Sequence, residues 1–155
     1  MARSIKAFPP PEARRTMKVL QTILREPTAP FHEHRVRSAI RRILEAADVP
    51  CRLDASGNLT ASYRRGKAFP LTLTAHMDHP GFELLSVRGD KASARWNGQV
   101  PPFDLRGLKL ALWSDGPRGR LGTAVVLRGD GRLKGPAASL LELRVPPGTR
   151  PGDFG

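Results

Sequence analysis

The run LTLTAHMDHPGFELL, Leu71 to Leu85, clusters side chains of types that hold metals or move protons where its strand-like half stops: His76, Asp78 and His79. Its first half alternates apolar and hydroxyl side chains, the period of a half-buried strand, so Thr72, Thr74 and His76 are expected to share one face. Extended geometry continued past His76 puts Asp78 on that face too. A carboxylate so placed can hydrogen-bond one imidazole nitrogen, fix the tautomer and raise the basicity of the other nitrogen as a ligand. It could also help to position a second metal. The plainer alternative is a polar turn capping a strand end, since two residues do not make a metal site. The other candidates carry less. His79 reads as an exposed loop histidine, with a weak ligand or a substrate-access role as the alternative. His32 and His34 flank Glu33 in FHEHR at a helix start and read as solvated rather than as a metal pair. Cys51, in the strand-like VPCRLD, reads as a half-buried thiol rather than a nucleophile.

The elements that must position these residues follow from periodicity. Ala13, Met17, Leu20 and Leu24 recur at three- and four-residue steps, predicting an amphipathic helix that Pro27 and Pro30 end. Val36, Ala39, Ile40, Ile43, Leu44 and Ala47 trace one face of a second helix, with Arg35, Arg37, Arg41 and Arg42 on the other side. From Val49 the period changes to two. VPCRLD and LTASY read as a hairpin turning at ASGN, FPLTLTAH as a third strand, and GFELLSVR with KASARW as a hairpin turning at Gly89-Asp90. After NGQVPPFD come short strands split by Gly and Pro: LKLALW, GRLGTAVVLRG and ASLLELRV, with turns at SDGPRG and GDGR. That run predicts a small barrel-like β module without helices.

Composition bounds what such a chain can be. A length of 155 residues suits one domain, or one layer plus a smaller module, and 6% aromatics leave the core to Leu, Val, Ile and Ala. No apolar run approaches the roughly 20 residues of a membrane span. MARSIKAFPPPEARR lacks the apolar core of a secretory signal and one cysteine cannot form an internal disulfide, so the expected location is cytoplasmic. The balance of 26 Lys plus Arg against 14 Asp plus Glu, net +12, raises the question of nucleic acid. The charge is spread evenly, with 13 basic residues before Gly66 and 13 after it. No aromatic interleaving or zinc finger accompanies it, which argues for a solvated Arg-rich surface and against a nucleic-acid footprint.

The string AHMDHPGFEL resembles the AHMDEIGF signature of the dinuclear metallo-aminopeptidase family that includes tetrahedral, deblocking and glutamyl aminopeptidases. The order of neighbouring segments is also similar: a helix like EHRVRSAIRRILEAA, then the Asp-x-x-Gly-Asn-Leu hairpin as DASGNL, Asp54 to Leu59, then the metal strand. DLRGLKLALWSDGPRGRLGTAVV looks like the opening of the β-rich domain that interrupts that family's catalytic domain, and VPPGTRPGDFG like a segment near the insert's end. The resemblance spans roughly Thr16 to Gly155. It implies an α/β fold, with the N-terminal helices and sheet of a metallopeptidase catalytic domain over residues 1–97 and an incomplete β insert over 98–155. It also implies two divalent metal ions, zinc or cobalt, a peptide substrate, and homo-oligomers built through the insert. By position, His76 matches a ligand of one metal and Asp78 the acidic catalytic-site residue that supports it, while Gly81 and Phe82 match the turn and strand that follow. His79 and Pro80 depart from the usual Glu and Ile. In the family, the bridging Asp, an adjacent Glu pair, a further carboxylate and a final His lie beyond the β insert. The expectation is therefore one wall of an active site, inactive alone. The alternative is a non-catalytic, basic β-rich binding or assembly module with a metallopeptidase-like shell.

Overall fold

The computed structural model describes residues 11–64, 66, 71–99, 103–129 and 139–155. It is mixed α/β, with two helices before a curled five-stranded sheet. Two compact units emerge, one of Val36–Thr72 with the residues up to Glu26, the other of Pro27–Arg35 with Leu73–Gly155.

In the first unit, α1 (Pro11–Leu24) forms where the apolar spacing requires. Its last turn closes through Arg25 N–H to the Gln21 carbonyl, and Pro27 stops it. Its apolar stripe stays open, with Met17, Leu20 and Leu24 all about half exposed. Helix α2 (His34–Glu45) is held along its polar side by Arg41 Nε to Glu45 Oε1 at 2.9 Å and buries Val36 and Ala39. It ends in a Schellman arrangement: Val49 N–H reaches back to the Leu44 carbonyl and Asp48 N–H to that of Glu45. Asp48 takes the left-handed conformation this geometry needs, at φ 54°. The strands β1 (Cys51–Leu53) and β2 (Leu59–Ala61) pair antiparallel around an Asp54-centred turn, as VPCRLD and LTASY predicted, though each is only three residues long. Asp54 accepts from the Ser56 and Asn58 backbone N–H groups and from Asn58 Nδ2, while Gly57 supplies φ +86°.

The third strand expected at FPLTLTAH is not formed: described residues 71–76 belong to no strand. Alternation selects faces once a neighbouring strand exists, but it does not supply the neighbour. Phe69 and Pro70 lie outside the described residues.

The second unit is the β module. Strands β3 (Gly81–Arg88), β4 (Lys91–Asn97), β5 (Lys109–Trp113), β6 (Arg120–Arg128) and β7 (Leu140–Arg144) form one antiparallel sheet in the order β3-β4-β7-β6-β5. The hairpin at Gly89-Asp90 and the three later strands lie where the period of two predicts them. The expected turn at GDGR is largely outside the described residues. β4 pairs directly with β7, so strands on both sides of residue 97 share this sheet.

Residues 152–155 turn the curled sheet into a closed ring. Phe82 and Gly155 exchange backbone hydrogen bonds on the β3 edge, and Trp113 and Phe154 exchange them on the β5 edge. The short segment thus acts as a closing stave, pairing with Phe82–Leu84 on the β3 edge and with Trp113 on the β5 edge. The interior fills by opposing large and small residues across the ladders: Leu84 faces Ala94, Ala94 faces Leu141, Ala92 faces Leu143 and Leu110 faces Ala124. Leu84, Leu112, Leu143 and Phe82 are essentially sealed from solvent. Each such side chain contributes roughly 1.5–3 kcal/mol by burial. Only glycine fits at Gly81, because a Cβ there would run into the Gly155 carbonyl and approach Ala29 Cβ to 2.9 Å.

Candidate functional site

His76 and Asp78 are brought together, though by a different route from the one their spacing suggested. They lie in an irregular segment, where the chain folds so that His76 Nδ1 stands 3.1 Å from Asp78 Oδ1 and 3.0 Å from the Asp78 carbonyl. Both neighbours are acceptors, so Nδ1 carries the ring proton in the neutral imidazole and Nε2 carries the lone pair. The ring is 81% exposed and Asp78 31% exposed, so this is a solvated imidazole whose ring is oriented by its carboxylate neighbour. His79 is exposed, as its loop position predicted, and Gly81 and Phe82 are buried at the start of β3. The Met77 carbonyl accepts a hydrogen bond from Thr28 Oγ1 at 3.3 Å, which ties the segment to the loop before α2.

The arrangement fits one ligand of a metal centre and no more. Among the described residues, no three His, Cys, Asp or Glu side chains converge where a metal ion could be held. A catalytic zinc takes about three protein ligands plus water, and paired metals also need bridging carboxylates. These residues alone therefore do not fit a resident metal pair. Cys51 is a free, half-buried thiol at the start of β1, in keeping with the structural role expected of it.

The second histidine group departs from expectation. His32 is not solvated: only 6% of it is exposed, and its ring stacks on Phe154 at a centroid distance of 4.3 Å and an interplanar angle of 8°. Its Nδ1 lies 2.9 Å from Asp115 Oδ1, and His34 Nδ1 lies 3.6 Å from the same oxygen. Arg35 donates to the carbonyls of Ser114 and Gly116 and stands 5.8 Å from the Trp113 ring centroid. His32 Nε2 is buried and has no hydrogen-bond partner among the described residues. The group clamps Pro27–Arg35 onto the β5–β6 turn and the closing stave, a packing role. FHEHR reads as polar and carries no local sign of this, because the covering surface comes from Phe154 and Asp115.

No helix among the described residues is long and apolar enough to cross a membrane. The Asp54 carboxyl is held below the usual 3.8 chiefly by the Asn58 side-chain hydrogen bond and then by the Asn58 backbone N–H, against an opposing desolvation, with lesser help from the Ser56 and Gly57 backbone. That carboxylate serves its turn. Compared with known proteins, the chain matches no family model, no curated protein and no solved structure.

Proposed function

We propose that this chain carries one wall of a metal-dependent aminopeptidase site, in which His76 supplies a ligand nitrogen and Asp78 orients it, and that residues outside this chain complete the site. The observation that carries the reading is the His76 Nδ1 to Asp78 Oδ1 contact at 3.1 Å on an imidazole whose Nε2 holds the lone pair. The resemblance of AHMD and DASGNL to the aminopeptidase family supports it, as does the placement of a β module directly after the motif. In the complete site, two divalent ions, zinc or cobalt, would polarise the peptide carbonyl and acidify water. The chain's own contribution is narrower: Asp78 keeps the His76 proton on Nδ1, and Gly81 and Phe82 anchor the segment to the barrel. A cytoplasmic location and homo-oligomers built through the β module belong to the same reading.

The test is hydrolysis. Purified chain with stoichiometric zinc or cobalt is expected to leave aminoacyl-anilides uncleaved. Turnover near the roughly 10 s⁻¹ typical of enzymes would contradict a one-walled site.

A second reading has an observation of its own. The β module joins its two edge strands through residues 152–155 and holds its own core, as a free-standing binding or assembly unit would. On that reading His76 and Asp78 are a polar turn. Equal zinc affinity of the parent and His76→Ala chains would favour it.

A further inference from the structure

We propose that the outer face of the β module binds the phosphate backbone of a nucleic-acid duplex through Arg88, Lys91, Arg144 and Lys109. The basic residues are spread evenly along the sequence, but strand register gathers these four into one row. Arg88 on β3 is opposite Lys91 on β4, Lys91 is opposite Arg144 on β7, Arg144 is opposite Val125 on β6, and Val125 is opposite Lys109 on β5. All four cations are exposed, whereas the adjacent row of Val87, Ala92, Leu143 and Val126 forms the core or packs on it. Like charges directly opposite one another across a ladder work against the sheet. Elsewhere the same face follows the usual rule: Glu83 is opposite Arg95, and the Ser86 and Ser93 hydroxyls share a hydrogen bond at 2.7 Å. The row therefore costs stability where its neighbours contribute it, as surfaces kept for a partner do. Asp90 lies 3.6 Å from Arg144 and Glu142 4.0 Å from Lys91, in exposed pairs too long and too solvated to cancel it.

The spacing of the row selects the partner. Arg88, Lys91 and Arg144 sit on successive strands about 4.8 Å apart, closer than the roughly 6.6 Å between carboxylates on one face of an extended acidic peptide. A duplex is denser, with one charge per ~1.7 Å of its axis. A single strand is held by aromatic rings stacked on its bases as well as by charge. The exposed aromatic rings among the described residues, Phe31, Tyr63 and Phe103, lie outside the five strands, while Phe82 is buried and Trp96 packs on the core. The face thus offers charge without stacking, which suits a duplex whose bases are paired and whose phosphates point outward. None of the residues assigned to the aminopeptidase site takes part, so the two proposals stand or fall separately.

The test is fluorescence anisotropy of the full chain with a labelled DNA duplex of about two helical turns, repeated between about 50 and 200 mM salt. Four phosphate contacts predict a slope of about −3.6 for log affinity against log salt, a loss of roughly 150-fold over that range. Lys91→Gln combined with Lys109→Gln should reduce the magnitude of the slope by about 1.8 and weaken low-salt binding about tenfold or more. Arg14→Gln combined with Lys18→Gln removes the same charge from α1 and should leave affinity within about twofold. Amide protection at Leu84 and Leu143 establishes that the barrel is intact in each variant. If the lysine pair loses it, Arg88→Gln with Arg144→Gln tests the other half of the row. No binding at about 50 mM salt would overturn the proposal, as would an equal loss in the α1 variant, which would reduce the effect to net charge. Equal affinity for the single strand of the same sequence, or displacement of the duplex by polyglutamate at matched charge, would also overturn it, the last by pointing to an acidic protein partner.

Discussion

His32 shows how a polar side chain can serve as an aromatic one. Its ring lies flat on Phe154, and only one of its nitrogens is satisfied, by Asp115. Stacking and burial should therefore outweigh the hydrogen bond, since Asp115 is more than half exposed and rehydrates if the bond is lost. Replacing His32 with Ala is expected to cost about 2–4 kcal/mol in denaturant unfolding, as for other large-to-small core changes. His32→Phe keeps the stack and removes the unsatisfied nitrogen, and should remain within about 1 kcal/mol of the parent. A large loss in both variants would show that the Asp115 bond dominates. Asp54 gives a pH prediction with a definite sign. Its folded-state acidity lies below 3.8, so its contribution to the β1–β2 turn is present above that value and is lost as pH falls through the folded pKa. The Asn58 amide shift should titrate with a midpoint below 3.8, and a midpoint at or above it would contradict the hydrogen-bond account.

The closing stave is the element on which the barrel depends, and its anchor is ionic. Asp153 is almost fully buried, and Arg118 Nη2 holds it at 2.9 Å while Arg150 N–H donates at 2.7 Å. Removing Arg118 leaves a buried carboxylate with backbone support alone, so Arg118→Ala should destabilise the β module by about 3 kcal/mol. Hydrogen exchange at Phe82 and Trp113 should rise first, because those amides bond the stave. Unchanged protection there would contradict the closing role. The strands β3 to β7 were legible in the sequence because each alternates over several residues and meets a Gly-rich or Asp-containing turn. The two helices were legible from their apolar spacing. Residues 152–155 were not, since GDFG has no strand period and becomes a stave only between edges far away in sequence. The LTLTA strand was misread for the converse reason, a good local pattern lacking its neighbour. The spacing pointed to the His76–Asp78 pair, but the pair meets in an irregular segment and not on the strand face the spacing implied, while the burial of His32 depends on Phe154 and left no local mark.

At the scale of the whole molecule, a self-contained β module is joined to helices and a short hairpin that leave apolar surface open. A two-stranded hairpin is marginal by itself in water, and the half-exposed stripe of Met17, Leu20 and Leu24 adds to the apolar surface in contact with solvent. The β module joins its edge strands through residues 152–155, whereas residues 71–75, which lead up to His76, make no backbone hydrogen bond to another described residue. The function proposed above expects an oriented imidazole with few ligands around it, and among the described residues no three metal-ligating side chains converge. The most direct measurement is a zinc titration followed at the His76 imidazole nitrogens by NMR, with His76→Ala and Asp78→Ala as controls. One weak site, with an affinity on the order of millimolar, is predicted to perturb Nε2 of His76, vanish in His76→Ala and weaken in Asp78→Ala. Nanomolar binding would contradict the account by showing a complete ligand set, and a His76 ring untouched by saturating zinc would contradict it by removing the ligand.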